Sequence, residues 1–311
     1  MTDAVAVPAA VADADKRCGF IAIIGAPNAG KSTLVNALVG TKITIVSRKV
    51  QTTRVPIRGI ALEGASQLVF VDTPGLFAPK RRLDRAMVEA AAAVAGDADV
   101  VAFLVDVTRG ITEDVERIVD GLGKIKSPVV LVLNKVDDIK KDKLLPLAAE
   151  LNQRHRFAET FMISALKSKG LKELRAFLAR HVPAGPWHYP EDEITDANER
   201  LTAAEITREK IYAYLHEELP YAATVETTGW KELRDGGVRI EQTIFVQREG
   251  QRAIVLGEKG RTIKHISTVS RTELGEMFGR TVHLFLFVKV REGWENDPER
   301  YREMGLEFPK D

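Results

Sequence analysis

Eight residues near the amino terminus decide the fold: Gly25-Ala26-Pro27-Asn28-Ala29-Gly30-Lys31-Ser32. They match the pattern GxxxxGKS and stand between an apolar run, Phe20 to Ile24, and a segment of helical period, Lys31 to Val39. Glycines let successive backbone N–H groups turn inward, and the start of a helix adds positive potential. The stretch therefore predicts a loop that binds a chain of phosphates, with Lys31 on the β- and γ-phosphates and Ser32 on Mg²⁺.

Apolar runs of strand length alternate with helix-like segments from Gly19 to Val182. The runs are Phe20 to Ile24, Leu68 to Val71, Val100 to Val107, Val129 to Leu133 and Thr160 to Ile163. The helix-like segments are Lys31 to Val39, Thr112 to Lys124, Lys140 to Arg154 and Leu171 to Ala179. This alternation predicts an α/β domain, a mostly parallel sheet with helices on both faces, over residues 19–182.

The alternation ends at a proline-rich and acidic segment, which predicts a linker over residues 183–200. Beyond it the order changes to helix, strand, strand, helix, strand, with a hairpin turn at Asp235-Gly236-Gly237. The five elements are expected at Leu201 to Glu217, Ala223 to Leu233, Val238 to Gln247, Thr262 to Phe278 and Thr281 to Val290. We therefore expect a smaller α+β domain over residues 201–290.

The sequence predicts a tail at each end of the chain. Residues 1–18 are rich in Ala and Asp and lack the basic start of a signal peptide, so we expect a disordered tail on a cytoplasmic protein. Residues 291–311 carry seven acidic against four basic residues. That segment is expected to be a solvated end, and a partner-binding or regulatory segment is the alternative.

Composition excludes several classes of protein. The 311 residues are 45% apolar and 29% charged, which is typical of a globular protein. The net charge of +1 argues against a protein that coats a polyanion uniformly along its length. The single cysteine, Cys18, excludes an internal disulfide and a multi-cysteine metal site. No apolar run is long enough to span a bilayer, and no feature demands a dimer, so we expect a monomer.

Three further motifs follow predicted strands, where polar side chains meet at one edge of a parallel sheet. Asp72-Thr73-Pro74-Gly75, followed by Leu76, places a carboxylate near the metal of a bound nucleotide. Asn134-Lys135-Val136-Asp137 places a carboxylate that can accept from N1–H and the exocyclic amine of guanine, a pair that adenine does not offer. Ser164-Ala165-Leu166 fits a loop whose backbone N–H closes over the guanine oxygen.

A polar, aperiodic loop, Ser47 to Arg54, lies between the phosphate loop and Asp72. A hydroxyl there that joins Mg²⁺ only when a γ-phosphate is present would make a switch. Thr53 is the first candidate and Thr52 the second. A plain surface loop is the alternative.

Together these motifs resemble the Era-type GTPases over Gly19 to about Val182, most distinctively in Gln51-Thr52-Thr53-Arg54. Val50 and Val55 stand where Era proteins usually have proline and histidine. The resemblance implies a GTP/GDP and Mg²⁺ site with Lys31, Thr53 and Gly75 as catalytic residues and Ser32, Thr53 and Asp72 as metal ligands. It implies nucleotide contacts from residues 25–33, which include Thr33, and from residues 72–76, 134–137 and 164–166.

Two positions bear on the hydrolysis rate. Leu76 stands where Ras-like enzymes carry a glutamine that positions water, and leucine cannot hydrogen-bond water. Hydrolysis should be slow, or depend on a group supplied by a monovalent cation, the switch loop or a partner. Asn28 matches the asparagine that helps to hold K⁺ in cation-dependent relatives, so K⁺ is a hypothesis for this site.

In the second domain, Gly257-Glu258-Lys259-Gly260 has the form of a KH-domain GXXG loop, entered by a strand-like lead, Ile254 to Leu256. Glycines allow a phosphodiester backbone to approach closely, while Lys259, Arg261 and Lys264 neutralise its charge. The RNA-binding residues are thus expected to be Gly257, Glu258, Lys259, Gly260, Arg261 and Lys264.

The order of elements resembles the type II KH topology that follows the GTPase domain of Era proteins. The resemblance implies a ribosome-assembly GTPase that binds the single-stranded 3′ end of 16S rRNA in the small subunit, with a peripheral contact to the inner membrane. The alternative is a signalling GTPase whose second domain binds protein. A P-loop kinase or ATPase is disfavoured by Asn134 to Asp137.

Overall fold

The computed structural model describes residues 15–309, so the predicted tail lies outside the described residues up to residue 14. The first strand begins at Arg17, two residues inside that predicted tail, because Arg17 pairs with Ser66. The elements of the first unit are β1 (Arg17–Gly25), α1 (Lys31–Val39), β2 (Ile57–Glu63), β3 (Ser66–Asp72), α2 (Arg82–Asp97), β4 (Val100–Asp106), α3 (Glu113–Leu122), β5 (Val129–Asn134), α4 (Leu144–Arg154), β6 (Thr160–Ile163) and α5 (Leu171–His181).

These strands form one six-stranded sheet in the order β2-β3-β1-β4-β5-β6. Every neighbouring pair is parallel except β2 and β3, which are antiparallel. Separate apolar clusters cover the two faces, one around Leu34 and Leu178 and the other around Val119 and Leu151. The predicted fold class is confirmed, and the parallel register brings the carboxyl ends of β1, β3 and β5 to one edge.

The proline-rich segment after α5 is an ordered strap along the sheet. The Ile60 N–H of edge strand β2 donates to Ile194 O at 2.8 Å, and Gln67 Nε2 donates to Tyr189 O at 2.8 Å. Because the bond from Ile60 satisfies a backbone group of the edge strand, the strap covers part of that edge as well as joining the two units.

The second unit is a three-stranded sheet in the order β7-β8-β9, with β7 and β8 antiparallel and β8 and β9 parallel. Helices cover one face through a core that includes Ile211, Ile244 and Ile266. The predicted hairpin turn is confirmed, with Gly236 at a φ of 81°. The elements are α6 (Glu199–Tyr214), α7 (Leu219–Ala222), β7 (Thr224–Glu232), β8 (Val238–Val246), α8 (Glu249–Leu256), α9 (Arg261–Phe278), β9 (Val282–Val290) and α10 (Pro298–Glu303).

Two sequence-based expectations are wrong. Ile254 to Leu256 is not a strand but the end of α8, in which Val255 faces the core while Ile254 is 58% exposed. The acidic tail is not a solvated end: Trp294 and Tyr301 are fully buried against Val55 and the α2 residue Met87. An aromatic pair can bury this much apolar area even in a segment of acidic net charge.

Within residues 15–309 no helix is long and apolar enough to cross a membrane.

Candidate functional site

The phosphate loop is shaped by close backbone approaches. A Cβ at Gly25 would lie 2.4 Å from Leu104 O, and one at Gly30 would lie 2.5 Å from Asn134 Nδ2. Gly30 also has a φ of 98°, in the left-handed region that favours glycine. The end of the loop therefore packs against the last residue of β5. The chain turns there directly into α1, whose first backbone N–H groups point into the loop.

Lys31 is folded into the loop, where its Nζ donates to Gly25 O at 3.2 Å and Ala26 O at 3.1 Å. Burial lowers the pKa of this ammonium to about 8, although nearby Asp72 opposes the shift. Burial also raises the pKa of Asp72 to about 6, against the hydrogen bond from Ser32 and the charge of Lys31. Two opposite charges are thus buried side by side, where an anionic ligand and a cation can each compensate for the hydration that one of them has lost.

Three predicted metal ligands meet beside this lysine. Ser32 Oγ donates to Asp72 Oδ2 at 2.7 Å, Thr53 Oγ1 lies 3.1 Å from the same oxygen, and the two hydroxyl oxygens are 2.9 Å apart. Asp72 Oδ1 is buried and has no hydrogen-bond partner among residues 15–309. Hydroxyl and carboxylate oxygens are what Mg²⁺ prefers, so this donor set and its orphaned oxygen fit that ion.

The two candidate switch threonines point to different places. The Thr52 hydroxyl donates to Lys49 O at 2.9 Å within its own loop, whereas Thr53 is buried beside Ser32 and Asp72. The geometry favours the first candidate, Thr53.

The residues after Asp72 pack against the phosphate loop. Thr73 Oγ1 donates to Ile23 O at 2.7 Å, and the Leu76 N–H donates to Gly25 O at 3.0 Å. A Cβ at Gly75 would lie 3.0 Å from Pro27 N, so glycine lets the two loops touch there. The side chain of Leu76 packs with the apolar cluster on that face, away from any role in holding water.

The base-recognition motif is tied to the phosphate loop through Asn134. Its Nδ2 donates to Ala29 O at 2.9 Å, and its Oδ1 accepts from the Ala165 N–H at 3.0 Å. Lys135, in a left-handed conformation, donates to Asn28 O at 2.9 Å and pairs with Asp106 at 2.6 Å. These contacts bring three segments, distant in sequence, around one end of the cleft.

Asp137 stands at that end as an anion. The Ser164 hydroxyl and the Lys167 ammonium, 2.9 Å away, hold the pKa of Asp137 at about 2. Leu166 is 79% exposed beside it and forms an open apolar wall. A carboxylate that stays ionised at neutral pH can accept two hydrogen bonds from a base edge.

One cavity of about 730 Å³ joins the phosphate, switch and base segments. Its lining includes Lys31, Thr53, Gly75, Asp137 and Ala165. Lining residues that the sequence reasoning missed are Val46, Asp106, Thr108, Arg109 and Asp138. The sequence could have indicated Asp106 and the residues after it, because Asp106 ends β4 at the same sheet edge as the other motifs. Predicted residues outside the lining are Gly25, Ala26, Ala29, Asp72, Thr73, Pro74, Leu76 and Val136.

The GXXG loop joins α8 to α9. Gly257, Lys259 and Gly260 all have positive φ values, between 52° and 75°, so the backbone turns sharply just before α9 begins at Arg261. Lys259, Arg261 and Lys264 are exposed, and Glu258 pairs with Arg261. A Cβ at Gly257 would meet Thr262 Oγ1 at 2.1 Å, whereas the space around Gly260 is open. The loop is therefore a basic turn open to solvent.

Comparison with known proteins agrees with this division. Residues 20–135 match the family described as 50S ribosome-binding GTPase, and residues 218–295 match the KH domain family. The chain is 60% identical to the GTPase Era of Bradyrhizobium sp. strain BTAi1, over 96% of this chain and 97% of that protein. It is 59% identical to the GTPase Era of Brucella suis biovar 1, over 94% of each chain.

Two solved structures are similar over 93% of this chain and 99% of theirs, each with a TM-score of 0.89. One, 39% identical, is a single-residue variant of Aquifex aeolicus Era bound to GDP and AlF4⁻. The other, 38% identical, is Era in complex with MgGDPNP and nucleotides 1506–1542 of 16S ribosomal RNA. Identity at this level over nearly the whole chain shows descent within one family, so the chain belongs to the Era GTPases and carries a GTPase domain followed by a KH domain.

Proposed function

We propose that this protein is a GTP-driven switch that binds the single-stranded 3′ end of 16S rRNA and assists assembly of the small ribosomal subunit. Residues 19–182 carry GTP binding and hydrolysis, and residues 201–290 carry the RNA contact. The observation that supports the proposal most directly is the convergence of separate segments on one cavity while a basic GXXG loop lies open in the same chain. A relative of the same fold was solved with MgGDPNP and this RNA.

Lys31 and the backbone N–H groups of residues 25–33 bind the phosphates. Lys31 exchanges its contacts with Gly25 O and Ala26 O for phosphate oxygens, and the incoming charge favours its protonated form. Ser32, Thr53 and Asp72 hold Mg²⁺, which when bound neutralises charge on the β- and γ-phosphates. Gly75 lines the cavity, where its N–H would donate to the γ-phosphate, and any side chain there would press on Pro27.

Asp137 reads the base, and Asn134 and Lys135 fix the walls around it. The carboxylate accepts from the N1–H and the amine of guanine. The Ala165 N–H on the neighbouring loop donates to Asn134 Oδ1, so the guanine oxygen has to displace that contact to use this donor. At those positions adenine has an unprotonated N1, which is an acceptor, and a C2–H, so it gives the Asp137 carboxylate no N–H donor.

Hydrolysis in this site needs help that Leu76 does not give. We propose that K⁺ supplies part of it through Asn28, whose Nδ2 donates to Arg48 O at 2.9 Å, so that the Asn28 amide lies beside a backbone carbonyl of the switch loop. Such oxygens suit a hard monovalent cation. Unchanged turnover after replacement of K⁺ with a larger inert cation would remove this part of the proposal.

The GXXG loop contacts the RNA backbone. Gly257 and Gly260 let phosphates approach the main chain, and Lys259, Arg261 and Lys264 supply charge from one exposed surface. Because Glu258 pairs with Arg261, a phosphate has to displace this carboxylate to use the guanidinium.

A titration of labelled RNA tests the proposal. We expect the full chain to bind a single-stranded oligonucleotide of the 16S rRNA 3′ end, with affinity that falls linearly in log salt and a slope of about two to three, roughly 0.7 per phosphate contact. A scrambled oligonucleotide is the control for the RNA sequence, and an ATP analogue is the control for the nucleotide. Salt-independent or absent binding would contradict the RNA assignment and favour the alternative, a second domain that binds protein.

Three narrower expectations stay predictions: that the protein is a monomer, that it is cytoplasmic, and that it contacts the inner membrane peripherally.

A further inference from the structure

The second unit holds the switch loop along its main chain. Arg208 Nη2 donates to Thr52 O at 2.5 Å, and Tyr212 OH donates to Gln51 O at 3.3 Å. In the opposite direction, Lys49 Nζ donates to Tyr212 O at 2.6 Å. These contacts all come from α6, so the loop that reaches the metal site is fastened from outside its own domain.

Arg54 makes the deepest of these attachments. It is only 5% exposed, and its guanidinium donates to Ala223 O at 3.0 Å, Tyr221 O at 3.2 Å and Pro220 O at 3.3 Å. The ring of Trp294 lies 5.6 Å from its Cζ, within cation–π range. A buried guanidinium is costly without partners, and here carbonyls that end α7 and an indole from the carboxyl-terminal tail supply them.

The socket is itself built from two parts of the second unit. Trp294 Nε1 donates to Ala222 O at 3.0 Å, which ties the tail to α7. Trp294 and Tyr301 then pack on Val55 and on Met87 of α2, so the tail covers the residue after Arg54 as well. Displacement of this unit would leave Arg54 without its partners and Val55 without its apolar cover.

We propose that Arg54 is a positioning residue for GTP hydrolysis: docked in this socket, it keeps the adjacent Thr53 at Ser32 and Asp72. Neighbouring Cα atoms are fixed about 3.8 Å apart, so an anchored Arg54 confines Thr53. Docking of the second unit and ordering of the metal site are then coupled. By linkage, docking stabilises the ordered metal site, and a ligand that orders the metal site stabilises docking to the same extent. The proposal rests on the proposed function only in taking GTP and Mg²⁺ as the ligands.

Variants of the full chain separate positioning from mere structural support. Arg54→Ala removes the anchor, Arg54→Lys keeps its charge, and Arg58→Ala is the matched control because Arg58 pairs with Asp196 on the strap and is exposed. Trp294→Phe weakens the socket from its other side. Thermal melting confirms that each variant is folded before it is compared.

Amide hydrogen exchange in the nucleotide-free protein is the first readout. We expect exchange at residues 51–55 to accelerate by about tenfold or more in Arg54→Ala, less in Arg54→Lys and Trp294→Phe, and not in Arg58→Ala. In the presence of Mg²⁺, Arg54→Ala should lower affinity for a non-hydrolysable GTP analogue by about tenfold while GDP affinity changes less than about twofold. Single-turnover hydrolysis should fall in parallel with the GTP-analogue affinity.

The Thr53→Ala background gives the sharpest outcome. Because Arg54 acts through Thr53, adding Arg54→Ala to Thr53→Ala should cause little further loss of hydrolysis or GTP-analogue affinity. Additive losses, equal losses of GDP and GTP affinity, or unchanged exchange in Arg54→Ala would each overturn the proposal. If the unaltered protein bound no GTP, the proposed function would fail, whereas the exchange result would still decide the role of Arg54.

Discussion

The protein has two glycine loops that each open a helix, and they differ in what surrounds them. In the first, residues 25–32, the backbone presses on neighbouring strands and Lys31 is 6% exposed. In the second, residues 257–260, the space around Gly260 is open and Lys259 and Arg261 face solvent. The same residue types therefore make an enclosed site in one unit and an open surface in the other.

The difference teaches what each loop can select. An enclosed loop surrounds a short anion and can be coupled to a base-reading carboxylate at the far end of one cavity. An open loop can bind a polymer that continues past it in both directions, and it gains affinity from released counterions more than from fit. Changes in the first loop should be large and local, and changes in the second should be smaller and dependent on salt.

The largest expected effect is that of Lys31→Ala. Loss of the charge buried against the phosphates should reduce GTP hydrolysis by about 10² to 10³. RNA affinity measured without nucleotide should not change. Lys124→Ala, an exposed lysine just beyond α3, is the control, and an equal loss in that variant would show that the effect is not specific to the loop.

The second prediction concerns the far end of the same cavity. In Asp137→Asn, an acceptor that faces the guanine amine becomes a group that can donate, so preference should shift toward xanthine nucleotides by about tenfold or more. Competition between GTP and XTP for a fluorescent nucleotide measures the ratio. Asp142→Asn, an exposed residue outside the cavity lining, is the control, and an unchanged preference in Asp137→Asn would move the base pocket elsewhere.

The third prediction tests the open loop. In Gly260→Asp the new side chain meets no steric clash, but it adds a negative charge and backbone strain at a φ of 75°. RNA affinity should therefore fall by about tenfold while GTP turnover stays near normal. Gly257→Asp should be more severe, because its Cβ would meet Thr262. Gly121→Asp, on exposed α3, adds the same charge far from the loop, and equal losses of both activities in Gly260→Asp would contradict two separable sites.

The same contrast explains what could be predicted from the sequence. The convergence of the phosphate loop, Asp72 and Asn134 to Asp137 could be predicted, since each follows a buried apolar run and parallel strands end at one edge. The element before the open loop was wrong, because three apolar residues at Ile254 to Leu256 fit either period and only tertiary contact decides.

The contacts that join the units could not have been predicted. Arg54 was visible within the quoted motif, but its partner Trp294 lies 240 residues later in a segment whose charge suggested a solvated end. Val55, a departure from the usual Era pattern, proved to be an apolar contact of that tail. Long-range burial of this kind leaves no periodic signal in sequence.

The smallest expected effect is a pH window for the enclosed loop. Asp72, with a pKa of about 6, becomes protonated as pH falls and then loses its charge as a metal ligand. Lys31, with a pKa of about 8, loses its charge as pH rises. Affinity for MgGTP should therefore fall on both sides of neutrality, by about fourfold half a unit beyond either pKa relative to pH 7.

Two controls assign the limbs of this window. Lys31→Arg should remove the alkaline decline, because a guanidinium stays charged throughout this range. Omission of Mg²⁺ and use of GDP should remove the acid decline, since Asp72 acts on the nucleotide only through the metal. An affinity that stays flat from pH 5.5 to 8.5, or an acid decline that persists without Mg²⁺, would show that Asp72 and Lys31 do not control nucleotide binding. The open GXXG loop has no buried acid beside its lysines, so RNA affinity should show no such dependence on pH.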